Sequence, residues 1–256
     1  MKMLHYFNYD GQDSRDYGLY IVSQNAFDKP QRDVSFISVP GHDGDIIIDN
    51  GGYKNLKLTL TLRLIAEKVE NDINDLQFSY WKAMNWLQQT ATYKKLVLSY
   101  DGRYYREACV FSGIKATKRY DDVIDFTVTF SCKPFRKSFE GDKKIIIAAA
   151  AGATLFNPEA FPSKPYMKIT PADGTQNFAI AIRKSAREHD YAYYTFYQAD
   201  EYVEIDSESM NVFKGNINKN NDYAATSFPE FKPGTNSISF IGNIASIEII
   251  PRWRTL

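Results

Sequence analysis

The sequence predicts a mainly β protein made of two β domains, the first of which also carries one helix. Most of the chain consists of short alternating or apolar runs bounded by Gly, Pro, Asn and Asp, a pattern typical of antiparallel strands and turns. Aromatic residues make up 15% of the chain, with 18 Tyr and 17 Phe, and these side chains favour half-buried strands. The 256 residues exceed the usual domain size of roughly 100 to 200 residues.

The first domain is predicted to contain several two-faced strands. In Leu56 to Leu64 the sequence LKLTLTLRL alternates throughout, which places five leucines on one face and Lys57, Thr59, Thr61 and Arg63 on the other. The predicted strand from Val123 to Cys132 is also two-faced. The predicted strands are Leu19 to Val22, Val34 to Val39, Asp45 to Ile48, Leu56 to Ile65, Leu96 to Ser99, Glu107 to Thr117 and Val123 to Cys132.

The segment from residue 70 to residue 90 is predicted to be a helix. Its apolar residues recur at steps of three and four, namely Ile73, Leu76, Tyr80, Met84 and Leu87. Asn71, Asp72 and Asp75 suit its N-terminal end. Trp81 and Trp86 would widen the apolar stripe, so we expect the helix to cover a sheet.

A change in composition after the last strand of the first half marks the predicted domain boundary. The run KPFRKSFEGDKK, residues 133 to 144, combines a proline, a glycine and clustered charge, so we divide the chain into 1–139 and 140–256. The apolar run from Ile145 to Ala153 is expected to be a buried strand. Residues Thr154 to Pro165, with three prolines, are expected to form an extended connector with few hydrogen bonds.

The second domain is predicted to be a β-sandwich, because seven short strands follow one another closely. These are Tyr166 to Thr170, Phe178 to Ile182, Ala192 to Phe196, Tyr202 to Asp206, Asn211 to Lys214, Ser237 to Ile241 and Ala245 to Ile250.

Composition disfavours several classes of function. The 31 basic and 31 acidic residues balance, so the chain has no overall field to hold nucleic acid, and we expect no specific nucleic-acid binding. No apolar run approaches the roughly 20 residues that span a bilayer, so no membrane insertion is expected. The start of the chain has no signal-peptide pattern, which predicts synthesis and assembly in the cytoplasm. Cys109 and Cys132 are expected to be free thiols.

Motifs for catalysis, metals and cofactors are not found in the sequence. His5, His42 and His189 lie far apart, and no nucleophile elbow or glycine-rich phosphate loop occurs. The run GHDGDIIID gathers three aspartates, but its glycine falls at the second rather than the sixth position of a calcium loop. We therefore predict no catalytic residues, no cofactor and no metal, and a protein that is not an enzyme.

Two alternatives to a purely structural role remain open. Strand alternation brings Glu204, Asp206 and Glu208 to one face, near Glu201, as a glycosidase or cell-wall hydrolase would need. Any exposed strand face shows such a row, however. The run YAYYTFY could instead stack sugars on exposed rings, which would make the second domain a carbohydrate-binding module. The candidate contacts are Tyr191, Tyr193, Tyr194 and Tyr197.

Four stretches, taken in order, resemble the distal tail protein family of siphophages. The first is VPGHDGDIIIDNGGYKN, residues 39 to 55, and the second is the tryptophan-bearing helix followed by LVLSYDGRYYREACV. The third is FTVTFSCKPF, which closes the first domain. The fourth comprises IDSE at 205 to 208, FPEFKPGTNSISF at 228 to 240 and PRWR at 251 to 254. The resemblance runs over nearly the whole chain.

This resemblance implies a structural virion protein at the distal tail tip, or baseplate, of a long non-contractile phage tail. It implies an N-terminal domain that forms a homo-hexameric ring and a C-terminal galectin-like sandwich. The ring would join the tail tube protein and the tape measure protein to the tail-associated lysin or hub protein. In many phages such rings carry receptor-binding proteins for host attachment, and DNA leaves through the central channel.

A closed ring needs two different faces on each subunit, with the rotation closing on itself. We therefore predict that a hairpin around Asp49, Asn50, Gly51 and Gly52, together with the strand that carries Lys57, Thr59, Thr61 and Arg63, contributes to the ring contacts.

Overall fold

A computed structural model describes residues 4–24, 28–65, 74–119, 123–148, 152–172, 177–183 and 191–256. The chain divides into two compact units, residues 1–136 with Leu256, and residues 137–255. Both are mainly β, as the sequence predicts. Ile73 and the first residues of the predicted helix, and also His189, lie outside the described residues.

The first unit is built on one large antiparallel sheet, a separate two-stranded sheet and one helix. The large sheet has the order β2-β1-β7-β8-β10-β6-β3, with β9 also paired to β10, and β4 pairs with β5 alone. The elements are β1 (Phe7–Tyr9), β2 (Gln12–Asp13), β3 (Leu19–Gln24), β4 (Arg32–Ser38), β5 (Asp45–Tyr53), β6 (Leu56–Ile65), α1 (Asn74–Gln88), β7 (Lys94–Leu98), β8 (Tyr104–Val110), β9 (Lys115–Arg119) and β10 (Val123–Ser138).

Apolar and polar residues alternate along β6, so one face of this strand packs into the core of the first unit. All five leucines of β6 are buried, and β10 contributes Phe126, Val128 and Phe130 from the neighbouring strand. Helix α1 covers this layer with Leu76, Ala83, Met84 and Leu87. Trp86 joins them, stacked on Tyr17 with 4.3 Å between ring centroids. Trp81 does not, because it lies on the opposite side of the helix and is 56% exposed.

The second unit is a β-sandwich of two antiparallel sheets. One has the order β11-β21-β13-β16-β17-β18 and the other the order β12-β20-β14-β15-β19. Their apolar faces form a single core. The strands are β11 (Ile145–Ala148), β12 (Ala153–Asn157), β13 (Tyr166–Pro171), β14 (Phe178–Arg183), β15 (Tyr191–Phe196), β16 (Val203–Asp206), β17 (Asn211–Lys214), β18 (Ile217–Asn218), β19 (Tyr223–Ala224), β20 (Gly234–Ile241) and β21 (Ile244–Ile250). A short strand near the end of the chain, β22 (Arg254–Thr255), belongs to neither of these two sheets.

Two expectations about the start of the second unit were wrong. Ile145 to Ala153 is not one buried strand, because β11 is an edge strand whose Ile146 is 66% exposed, and β12 begins at Ala153 in the other sheet. The predicted connector from Thr154 is not poor in hydrogen bonds at its start, since β12 pairs with β20 over five residues. The prolines begin only after the strand ends, at Pro158.

Candidate assembly surfaces

The polar face of β6 brings four of the predicted ring residues into one row. Lys57, Thr59, Thr61 and Arg63 lie opposite Ser131, Thr129, Thr127 and Asp125 of β10. The Arg63 guanidinium donates two hydrogen bonds to Asp125, of 2.7 and 2.8 Å. The Thr59 and Thr129 hydroxyls are 3.3 Å apart. Cross-strand pairs of this kind stabilise the sheet itself, so this face is already hydrogen-bonded within the subunit.

The other four predicted ring residues belong to the β4–β5 hairpin, but they do not form its turn. The turn is Val39 to Gly44, and β5 continues through Asp49, Asn50, Gly51 and Gly52 to Tyr53. Asp33 pairs with Gly52 while Val34 pairs with Asp49, so Asn50 and Gly51 bulge out of the strand. Gly51 has a φ of +79°, which favours glycine.

The bulge is held by a local polar cluster. The Asp49 carboxylate accepts a hydrogen bond of 2.9 Å from the Gly51 N–H and forms an ion pair with Arg32. The hydrogen bond from Arg32, followed by that from Gly51, lowers the pKa of Asp49 below its ordinary value. Asn50 donates to the side chains of Asp33 and Ser35. The predicted residues of the bulge therefore shape the hairpin.

The apolar side chains of the hairpin are exposed on both faces. Phe36 and Ile47 are cross-strand partners on one face and are 62% and 63% exposed. Ile37 and Ile46 are partners on the opposite face, where Ile48 also lies, and all three are 45% to 48% exposed. We call these five residues the hairpin surface. The sequence signal was the unbroken Ile46 to Ile48 run, which lacks the alternation of a half-buried strand.

Helix α1 carries a second exposed apolar surface. Phe78 and Trp81 are three residues apart, which places them side by side on the helix, and they are 68% and 56% exposed. Lys82 is adjacent, with its ammonium 5.5 Å from the centre of the Tyr17 ring. We call Phe78, Trp81 and Lys82 the helix surface. Sequence reasoning missed it because Trp81 was assigned to the buried stripe.

In the second unit, the carboxylates of the predicted acidic row each have a partner. Glu204 accepts from the Tyr166 hydroxyl and the Gly215 N–H, and Glu208 pairs with Lys137. Asp206 accepts two hydrogen bonds from Arg252, of 2.7 and 3.1 Å. Burial raises the pKa of Asp206, but the Arg252 guanidinium outweighs it, so the net pKa lies below the ordinary value.

These contacts join the IDSE and PRWR motifs into one structural cluster. Asp206 of the first motif is held by Arg252 of the second, and Trp253 is buried beside Phe231, with 5.8 Å between ring centroids. Gly141 packs against the Trp253 backbone, where a Cβ atom would lie 2.2 Å from the Trp253 nitrogen. The motifs therefore fasten the chain end to the sandwich, a role different from the paired carboxylates of a hydrolase.

The aromatic run of β15 is split between the core and the surface. Tyr194 is buried at 3% exposure, which raises the pKa of its phenol to about 12, while Tyr193 and Tyr197 are 52% and 45% exposed. The side chain of Tyr191 lies outside the described part of the chain. Tyr194 and Ser207 line a cavity of about 630 Å³ with Lys164, Phe228 and Glu230 at its walls. The buried Ser207 hydroxyl has no hydrogen-bond partner among the described residues.

Other candidate chemistry is sparse in the part of the chain that the structure describes. No group of three or more His, Cys, Asp or Glu residues gathers there to hold a metal. Within the same residues, no helix is long and apolar enough to cross a membrane. Cys109 and Cys132 are both free thiols, as predicted, and burial raises the pKa of Cys132 to about 12.

Comparison with known proteins gives a family match and similar folds. Residues 2–134 match the family model described as phage tail protein N-terminal domain. The Dit (gp 19.1) protein of phage SPP1, described as a paradigm of the hub adsorption apparatus in phages that infect Gram-positive bacteria, superposes with a TM-score of 0.70. It is 14% identical, and the match covers 96% of this chain and 98% of that one.

A chain of the phage P2 baseplate in its activated conformation with Ca has a TM-score of 0.52 and 11% identity. That match covers 96% of this chain and 97% of the baseplate chain. The same baseplate with Sr gives a TM-score of 0.51 at 10% identity, with 96% of each chain covered. A search of curated proteins gives no match. At these identities the matches show a shared fold.

Proposed function

We propose that this chain, which belongs to the phage tail protein family defined by its N-terminal domain, is a structural hub protein of the tail tip. In this proposal residues 1–139 form a homo-hexameric ring at the distal end of a long non-contractile tail, and residues 140–256 form a peripheral galectin-like sandwich. The family match and the fold shared with the SPP1 hub protein support the proposal.

The proposed partners follow from this position. The ring would connect the tail tube and tape measure proteins to the tail-associated lysin or hub protein, and it would offer a platform to receptor-binding proteins for host attachment. The DNA would pass through the central channel, for which balanced charge is suitable because it avoids strong phosphate binding. The protein would be assembled in the host cytoplasm and act in the virion, without catalysis.

The single observation that carries the ring proposal is the hairpin surface. A two-stranded sheet is marginal in water unless another layer covers it, and here both faces of β4–β5 expose large apolar side chains. Contiguous exposed apolar surface of this kind marks a site of protein association. In the proposed ring, other copies of the chain supply the covering layer.

Native mass spectrometry of the full chain tests the ring. We expect a hexamer for the wild type and loss of hexamer for the double variant Phe36→Thr/Ile47→Thr, which places strand-forming β-branched residues at both positions. Ile217→Thr is the matched control, because Ile217 is also a strand residue and is 62% exposed, but in the second unit. A monomeric wild type, or a hexamer that survives the double variant, would contradict the ring role of the hairpin.

The predicted polar residues of the ring interface can be tested in the same assay. Lys57, Thr59, Thr61 and Arg63 would contact a neighbouring subunit across the outer face of β6, and Asp49 to Gly52 would hold the hairpin in shape. Lys57→Glu is the sharpest single change, because Lys57 is exposed at the end of the row. We expect it to weaken the hexamer more than Lys143→Glu, an exposed position in the second unit.

The cavity beside Tyr194 supports one second candidate function, the binding of host cell-wall sugar by the sandwich. An aromatic wall and a buried hydroxyl without a partner suit a polyhydroxylated ligand. A glycan array probed with the full chain tests this, with Ser207→Val as the cavity variant and Tyr193→Ala/Tyr197→Ala as the surface variant. Binding that neither variant reduces, or no binding at all, would exclude these residues as a sugar site.

A further inference from the structure

The helix surface has the chemistry of an interface, and the described part of the subunit leaves it exposed. Phe78 and Trp81 are the two most exposed aromatic residues of α1, although the same helix buries Leu76, Ala83, Met84 and Leu87. Single exposed apolar residues are ordinary, but two neighbouring aromatic rings on one helix face form a patch that another molecule can cover.

We infer that the helix surface of one copy packs against the Phe36 and Ile47 face of the hairpin surface of the next copy, an inference that rests on the proposed ring. A ring requires a heterologous interface, in which two different surfaces of each subunit meet. Among its described residues, the first unit exposes one group of apolar side chains on β4–β5 and another on α1. Both remain exposed in the single chain, so the hairpin does not cover the helix of its own subunit.

The shapes of the two surfaces suit each other. The hairpin surface is a narrow ribbon with cross-strand pairs such as Phe36 and Ile47 on a face. The helix surface is a convex ridge of two rings, and helices pack readily against one face of a twisted ribbon. The opposite hairpin face, with Ile37, Ile46 and Ile48, would remain for a further layer of the assembly.

The charged residues beside the hairpin surface and on the helix surface are of opposite sign. Residues 39–48, which form the hairpin turn and the start of β5, include Asp43 and Asp45 and no Lys or Arg. Lys82 is the one Lys or Arg between Asn74 and Gln88. It lies next to Trp81 in the chain and four residues after Phe78, which places it on the same side of the helix as Phe78. An acidic hairpin end meeting a basic position on the helix would set the register of the contact.

Disulfide trapping between copies tests this pairing directly. The double variant Ile47→Cys/Phe78→Cys should give a ladder of linked subunits up to six in non-reducing gels, because each copy contributes one cysteine to each interface. Either single variant should give at most a weak dimer band, and Ile217→Cys/Phe78→Cys is the matched control. A double variant that links no better than this control would overturn the inference.

Native mass spectrometry separates failure of the inference from failure of the ring. We expect Phe78→Gln/Trp81→Gln to reduce the hexamer at least tenfold, whereas Phe111→Gln, at a position 63% exposed, should leave it intact. Lys82→Glu should weaken the hexamer, and Asp43→Lys/Asp45→Lys in the same chain should restore it. Hexamer lost in the hairpin variant but retained in the helix variant would overturn the pairing and leave the ring standing. A monomeric wild type would overturn the ring.

Discussion

Side chains that look available for chemistry in the sequence are, in this structure, occupied in holding the subunit together. Asp206 is the clearest case, since strand alternation alone presents it as one of a row of acidic groups. The structure adds Arg252, which arrives from 46 residues along the chain and binds both carboxylate oxygens. Glu208 is occupied in the same way by Lys137. Long-range partners of this kind cannot be deduced from one sequence.

Asp206→Asn should destabilise the second unit by about 1 to 2 kcal/mol at pH 7, a figure reduced for partial exposure. The folded-state pKa is below the ordinary value of 3.8, so the carboxylate stabilises the fold above that pH, and the contribution is lost as the pH falls through the folded-state pKa. The difference between wild type and variant in urea unfolding should therefore shrink below about pH 4.

The control for this prediction is Glu248→Gln, which removes the exposed ion pair with Lys144. Its effect should stay below about 0.5 kcal/mol, since exposed pairs contribute little. A difference between wild type and Asp206→Asn that persists undiminished at pH 2 would show that the carboxylate charge is not the source of the stability.

Elements with a strong period of apolar residues could be predicted from the sequence, whereas short strands that are defined only by hydrogen bonding to a neighbouring strand could not. The limits of β6 and β17 are the predicted ones, and α1 lies within the helix predicted for residues 70 to 90. Strands β1 and β2 were missed because three and two residues are too short to show a period. The β5 bulge was interpreted as a turn, because glycines with positive φ serve both structures.

The two faces of β6 give a prediction at the element scale. Leu60→Ala should destabilise the first unit by about 3 kcal/mol, because Leu60 is fully buried opposite Val128 and its removal leaves a cavity. Thr61→Val, one residue on and facing away from the core, should change stability by less than about 0.5 kcal/mol. Urea midpoints would measure both, and equal effects would contradict the assignment of faces.

At the scale of the whole molecule, the fold class followed from residue patterns, whereas the ring rests on family membership and on exposed surface. Sequence reasoning predicts the hairpin and the helix, and it places ring contacts near Asp49 and on the outer face of β6, which stays a prediction. It could not find Phe78 and Trp81, since only the packing of α1 shows which of its aromatic residues are buried. An assembly surface consists of apolar side chains that stay exposed once the core has formed, so it can be identified only when the fold is known.

Mixing two assembly-defective variants tests whether the ring contact is heterologous. Phe36→Thr/Ile47→Thr keeps an intact helix surface, and Phe78→Gln/Trp81→Gln keeps an intact hairpin. Each variant should be monomeric alone, but together they should form a one-to-one dimer. The intact helix surface of one variant can bind the intact hairpin of the other, whereas the two mutated surfaces cannot bind a further subunit. Native mass spectrometry of differently labelled chains would count the species. If hairpins instead paired with hairpins across a two-fold axis, the mixture would show no such dimer and the helix variant alone would still associate.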